Sequence, residues 1–428
     1  SVWPGIWYNL NTQTLYWPLP VANRLGMAEN LSDALLRNRG NLIANVPVEF
    51  QPDSAGISRC SGTDMLERFD RWKEYGNLTW LCHNLWIQYR CSMDDEFLRD
   101  EVYPLLRRAV NLYLHVLTRD SAGRYHMPSA HCPESFDGPD NNYDLSCIRW
   151  GCDTLLKICE RLKIRDESIP RWRDVSKNLA DFPTDANGFC GGPGKPAPRG
   201  HRHWSHLLMM YPYYTINWDQ PANRDLLECS WRYWADPRVP NAWSQAVMSS
   251  MASSMGRGDD ARKHLQLALK SRNLAPNTMH TENGWPCSET HGILCQMLQD
   301  MMIQSWGDCI RVFPGAPAKW PDAVFHNLRA EGAFLVSAER KAGTTSGGRI
   351  KSLAGEPCIV LPELSGAVKA TCPMKPLDGG RYELTLAKGD EAMLYVGDSL
   401  PRPVIEPLAT DSASTNPWGP KNGGKTHK

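Results

Sequence analysis

Two asparagines stand two positions apart near the start of this 428-residue chain, in the run Tyr8-Asn9-Leu10-Asn11-Thr12-Gln13-Thr14-Leu15-Tyr16-Trp17-Pro18. In an extended segment, side chains at i and i+2 point to one side, so both amides would aim into one space. Each primary amide offers a donor and an acceptor, and a pair of them can hold a water or a sugar hydroxyl. Two turn asparagines making local Asx hydrogen bonds are an equal reading of this segment taken alone.

Three further stretches carry titratable groups beside aromatics. Tyr125 to Ser135 holds a single carboxylate, Glu134, between Pro133 and Ser135. His201-Arg202-His203-Trp204-Ser205-His206 puts three histidines and an arginine in six residues. Met279 to Gly292 holds Glu282, Glu289, His280, His291 and Trp285. Histidines this close can ligate a metal, but no acidic ligand neighbours them in sequence. They can equally line a sugar pocket, where imidazole and guanidinium bind hydroxyls. No metal and no cofactor is implied. A glutamate ahead of a helix is also a common dipole-favoured residue.

The elements that must position these groups are mostly helices. Val102, Leu105, Leu106, Ala109, Val110, Tyr113, Leu114 and Leu117 keep helical spacing, with Pro104 in the first turn, where proline is tolerated. Further helical stretches cover 155–162, 223–234, 243–255, 261–269 and 292–306. Past Pro314-Gly315-Ala316-Pro317 the pattern changes to strands near 334–338, 349–353, 358–361, 381–386 and 392–396, broken by Gly and Lys turns. This reads as a mainly α region over residues 1–315, a small antiparallel, β-sandwich-like domain over 316–410, and a polar tail over 411–428. Helix after helix with little strand between predicts a toroid of helix hairpins.

Composition narrows the partner. Lys plus Arg and Asp plus Glu both total 47, so the net charge is zero. No basic stripe points to nucleic acid, and no apolar run is long enough to span a membrane. Seventeen tryptophans and fourteen tyrosines, many beside polar residues, supply flat faces for sugar rings. Large helical cores bury tryptophan too. The fourteen cysteines contain no CxxC pair or zinc spacing, and one or two disulfides are compatible with them. The opening Ser1-Val2-Trp3 is consistent with a leader already removed, hence a secreted or periplasmic protein.

Taken in order, the motifs resemble glycoside hydrolase family 95, the inverting α-L-fucosidases and α-L-galactosidases, over about residues 3–340. The asparagine pair precedes Tyr16-Trp17-Pro18; His83-Asn84-Leu85-Trp86 precedes Phe97-Leu98-Arg99. Pro128-Ser129 and Pro133-Glu134 keep the family's Pro-Ser and Pro-Glu elements. His201 to Leu207 keeps its His-Arg-His-x-Ser-His-Leu run. Gln304-Ser305, Pro314 to Trp320 and Arg329 to Phe334 follow in family order. The resemblance implies an (α/α)6 barrel, here lacking its first helix. It also implies a preceding β domain or partner segment absent from this sequence.

It further implies an oligosaccharide or polysaccharide substrate with a terminal α-L-fucosyl or α-L-galactosyl residue. Glu134 would be the general acid and Glu289 the base, with Asn9 and Asn11 holding the attacking water. The family's base aspartate falls on Glu289 by counting back from Gln304, and Glu282 is the rival. His201, Arg202, His203, His206 and His83 would bind hydroxyls, and Trp17, Trp86 or Trp285 would stack on the ring. Glu134 is then expected to have a raised pKa and to face Glu289 across one pocket at inverting spacing. Two other classes remain open. One is a carbohydrate-binding protein with a decayed site. The other is a polysaccharide lyase using Tyr8 and Arg202, which leaves the paired glutamates unexplained.

Overall fold

A computed structural model describes residues 5–67, 73–239, 241–275, 277–282, 285–398 and 400; the side chains of Glu282 and Trp285 lie outside this set, as does the polar tail expected over 411–428. The chain divides into two compact units. The first comprises 1–16, 28–89 and 94–239, the second 17–27, 90–93 and 240–428.

The first unit is mainly helical. Helix Tyr103–Val116 occupies the stretch its periodicity predicts, burying Leu105, Leu106, Ala109, Val110 and Tyr113. Helix Asn142–Leu162 starts where the Asn141 side chain accepts from the Asp144 N–H, and ends at Lys163 in a left-handed conformation. Its Gly151 has a reason: a Cβ there would stand 2.5 Å from Val110 Cγ2, so a side chain would push the two helices apart. Helix Asn77–Ser92 buries Leu78, Trp80, Leu81 and Leu85. Burial of such side chains stabilises the unit by roughly 1.5–3 kcal/mol each.

The second unit combines helices Ala242–Ser254, Gly258–Leu269 and Glu289–Met302 with two five-stranded sheets. In chain order the strands are β1 Ile303–Gln304, β2 Ile310–Val312, β3 Ala323–Ala330, β4 Phe334–Lys341, β5 Thr344–Ser352, β6 Cys358–Leu361, β7 Val368–Ala370, β8 Met374–Pro376, β9 Tyr382–Leu384 and β10 Glu391–Val396. One sheet runs β1-β2-β6-β9-β8 and the other β3-β4-β5-β10-β7. Apolar residues from both, among them Ile310, Val360 and Leu384 from one and Phe325, Phe334, Val336, Ile350 and Leu394 from the other, form a shared core.

Two expectations need correction here. The β region is not purely antiparallel: β2 pairs with β6 in parallel, Ile310 opposite Val360. A long excursion through β3, β4 and β5 separates them, and only such a crossover permits parallel pairing. The helix expected to reach residue 306 stops at Met302, because Ile303 and Gln304 leave it to pair with β2. All fourteen cysteines are free thiols. No helix of the described residues is long and apolar enough to cross a membrane.

Candidate active site

Glu134 sits at the turn of a short hairpin, Ala130–Cys132 paired with Phe136–Gly138. The sequence closes this turn locally. Ser135 N–H donates to the Cys132 carbonyl at 2.8 Å, and the opposed pair His131 and Asp137 meet at 2.7 Å. The side chain of Glu134 keeps 23% exposure, enough to be reached from solvent.

Three cationic or donor groups converge on this carboxylate. Arg202 Nη2 donates to Oε2 at 2.7 Å, His203 Nε2 lies 3.2 Å from the same oxygen, and Arg59 Nη1 lies 3.7 Å from Oε1. Arg202 and His203 come from the loop after Gly200. That loop is pinned by Trp234 Nε1 donating to the His201 carbonyl at 2.8 Å and by His203 N–H donating to His201 Nδ1 at 3.1 Å. Burial alone would raise the Glu134 pKa. The hydrogen bond from His203 and the charges and hydrogen bonds on that side outweigh it, so the carboxyl is held well below its usual range. The raised pKa expected of an acid is therefore not built into the free site, because the described residues set two arginines and an imidazole donor against the carboxylate. Burial holds His203 down to about 4 despite Glu134, so near neutrality it is a neutral imidazole donating from Nε2.

Arg59 is itself held. Its Nε donates to Glu74 Oε1 at 3.0 Å, and its Nη2 pairs with the same oxygen. Asn77 Nδ2 donates to Glu74 Oε2 at 3.1 Å, and Tyr143 OH donates to Asn77 Oδ1 at 2.8 Å. The Glu74 side chain is fully buried and that of Arg59 only 10% exposed. This buried series, Tyr143 to Asn77 to Glu74 to Arg59, ends against Glu134. None of its members was singled out in the sequence. The one local signal is a charge inside the apolar run Ala55-Gly56-Ile57-Ser58-Arg59-Cys60.

The asparagine segment joins the same neighbourhood through the backbone. Ile6 and Trp7 pair with Ser61 and Cys60, and Tyr8 N–H donates to the Arg59 carbonyl at 2.8 Å. The pair is not extended. Asn9 lies in a turn and Asn11 opens the helix Asn11–Tyr16, so the same-side argument from strand geometry does not apply. Asn favours turns and helix starts because its amide competes for nearby backbone groups. Asn9 is 1% exposed, and neither its Oδ1 nor its Nδ2 has a hydrogen-bond partner among the described residues. A fully buried amide with both ends open is rare in a folded protein. Asn11 is half-buried.

The other expected binding residues divide. His201 is half-buried beside His203, with ring centroids 5.4 Å apart. His206 is buried, and that burial pushes its pKa down to about 3. His83 is a buried ring edge-on to Trp150 at 5.1 Å and Tyr213 at 4.9 Å, also pushed down to about 3 by burial. Its surroundings are those of an interior aromatic cluster. Trp86 is half-buried near Tyr89. Trp17 is 2% exposed, so its ring is enclosed rather than presented for stacking. Trp17, Trp285 and Glu289 belong to the second unit, where Glu289 is the first residue of its helix and half-buried.

Residues 3–293 match the model of the glycosyl hydrolase family 95 catalytic domain. The chain is 24% identical over 288 residues to alpha-L-fucosidase 2 of Arabidopsis thaliana, covering 62% of this chain and 34% of that protein. It is 23% identical over 304 residues to probable alpha-fucosidase A of Aspergillus niger, covering 62% and 38%. The chain thus spans little more than a third of the length of these curated relatives. Among solved structures, a putative kojibiose phosphorylase from human microbiome is similar at TM-score 0.58 and 12% identity, over 90% of this chain and 60% of that one. A Streptomyces avermitilis alpha-L-rhamnosidase complexed with L-rhamnose is similar at TM-score 0.52 and 10% identity, over 91% and 38%. At such identities these two likenesses concern the fold alone.

Proposed function

We propose, for a chain that belongs to glycosyl hydrolase family 95, that it hydrolyses a terminal α-L-fucosyl or α-L-galactosyl residue from glycans with inversion. In this reading the helical region over 1–315 is that of an (α/α)6 barrel, followed by the β region over 316–410. The protein acts outside the cytoplasm. The observation that carries the chemistry is the meeting of Glu134 with Arg202 and His203, beside a segment bearing the open-ended buried amide of Asn9.

Glycoside cleavage passes through an oxocarbenium-like state and needs a proton on the leaving oxygen. Glu134, partly exposed at a hairpin tip, gives that proton. His203 and Arg202 hold its carboxylate in one orientation and then stabilise the anion it becomes. Inversion needs a base to take the proton of the attacking water, and Glu289 fills that role. Asn9 and Asn11 hold the water; an amide is too weak a base to act alone. His201 and His206 bind sugar hydroxyls.

A second reading is favoured by one observation. A carboxylate held ionised by three neighbours suits a binding protein whose acid function has decayed. Incubating the protein with fucosylated and galactosylated glycans separates the two. Free monosaccharide supports the hydrolase. Retention of glycan without any released sugar supports the binding protein.

A further inference from the structure

Asn9 stands where an asparagine ordinarily serves its own backbone. Ahead of a helix, the Asn amide commonly bonds to neighbouring main-chain groups. The turn holding Asn9 runs into helix Asn11–Tyr16, yet neither end of its buried amide is used in this way. Other side chains do that work. Thr12 Oγ1 donates to the Trp7 carbonyl at 2.7 Å, and Gln13 Nε2 donates to the Tyr8 carbonyl. The Tyr8 carbonyl belongs to the peptide group that joins Tyr8 to Asn9. On its other side, the Tyr8 N–H is given to the Arg59 carbonyl. The main chain entering Asn9 is thus held at both of its polar groups.

Gln13 is held in turn. Its carbonyl is among the last four of a six-residue helix, the ones that lack an intrahelical donor. Asn84 Nδ2, inside helix Asn77–Ser92, donates to that carbonyl at 2.9 Å across 71 residues of chain. Asn84 and Gln13 are both buried. Asparagine is a poor helix former, and burying its amide costs free energy unless the amide is bonded, so its place in this helix is accounted for by the bond to Gln13. Gln13 Oε1 and Asn84 Oδ1, like both ends of Asn9, have no partner among the described residues. Buried polar atoms left open by the protein are ordinarily met by water.

We propose that Gln13, backed by Asn84, is a positioning residue for the hydrolysis: it fixes the Tyr8–Asn9 peptide, so that the Asn9 amide is left for the attacking water and not for its own turn. The inference rests on Asn9 holding that water. Gln13 touches no reacting atom and acts through Asn9. Without its donor the Tyr8 carbonyl is left unmet, and an Asn amide beside an unmet carbonyl bonds to it readily.

The test uses α-L-fucosyl fluoride, whose leaving group needs no acid, so that the rate reports the attack of water. Gln13→Met keeps the length of the side chain and removes the donor. It is expected to lower kcat by about 10–10²-fold, with KM changed less than about twofold. A merely structural residue could also slow the enzyme, so the deciding readout is a double-mutant cycle with Asn9→Leu. In the Asn9→Leu background, Gln13→Met should lower the rate by less than about a further twofold. Asn84→Leu leaves Gln13 in place and should show the same pattern with a smaller loss; it decides the question by the same cycle if Gln13→Met does not fold. A wild-type kcat in folded Gln13→Met, or losses that multiply with that of Asn9→Leu, overturns the inference. Either result leaves Asn9 as the holder of water, provided that Asn9→Leu alone is slowed. If Asn9→Leu hydrolyses the fluoride at the wild-type rate, the reading beneath falls and the inference falls with it.

Discussion

Arg202 donates from Nη2 to Oε2 of Glu134 at 2.7 Å, joining a loop and a hairpin 68 residues apart in sequence. The contact fixes where the carboxylate points and also which protonation state it favours. Every prediction about the first unit depends on this arrangement and on the buried groups behind it.

Asn9 separates function from stability. Its buried amide meets no partner among the described residues, and an unsatisfied buried polar group costs about 1–3 kcal/mol. Asn9→Leu, of similar size, should keep or raise the melting temperature while cutting turnover about 10²-fold or more. Thermal unfolding and turnover measured on one preparation check this. Loss of stability together with intact turnover would make Asn9 a structural residue.

Glu74 should be the most costly of these groups to neutralise. Removing one partner of a buried ion pair costs about 3–5 kcal/mol, and Arg59 would be left with its guanidinium in a largely buried place. Urea unfolding of Glu74→Gln should show a loss of that size. A change below about 1 kcal/mol, as for a surface pair, would mean that the Arg59–Glu74 contact carries little.

Asp144 predicts a pH dependence. Burial, the largest influence, and the charge of Glu74 push its pKa up to about 7, against the hydrogen bonds from Tyr113 and Asn141. A raised folded-state pKa means that its favourable contribution is fully present below the unfolded value near 4. It is then lost as pH rises toward 7, at up to about 1.4 kcal/mol per pH unit. Asp144→Asn keeps an acceptor for Tyr113 and cannot ionise. Unfolding free energies between pH 4.5 and 8 should fall with pH in the wild type relative to this variant; parallel curves would contradict the assignment.

Glu289→Gln should reduce turnover by about 10²–10⁴-fold without unfolding the protein, measured as initial rate alongside circular dichroism. If this variant keeps full turnover, the base is not Glu289, and Glu282→Gln becomes the variant that should be inactive.

Helix Tyr103–Val116 was legible because its apolar residues repeat along one face. Strand β3 was not: a register shift between Phe325 and Leu328 and a left-handed Asn327 interrupt its alternation. Strands β7 and β8 are three residues each, too short to show a period. Motif order pointed to Glu134, Arg202 and His203, which lie together, but sequence gave no access to Arg59 and Glu74. Those two pair across 15 residues of chain, and Arg59 reaches Glu134, 75 residues further on from it. The direction of the Glu134 shift was missed because the motifs assigned His203 and Arg202 to sugar hydroxyls, whereas both contact the carboxylate itself and outweigh its burial.

The central claim is that Glu134 donates a proton in an inverting hydrolysis. α-L-Fucosyl fluoride tests it most directly, because fluoride leaves without acid help while a glycan does not. Glu134→Gln should hydrolyse the fluoride near the wild-type rate and cleave fucosylated glycans about 10²–10⁴-fold more slowly, with the β anomer formed first in proton NMR of the wild-type reaction. Equal loss on both substrates, unchanged glycan cleavage, or first formation of the α anomer would contradict the account.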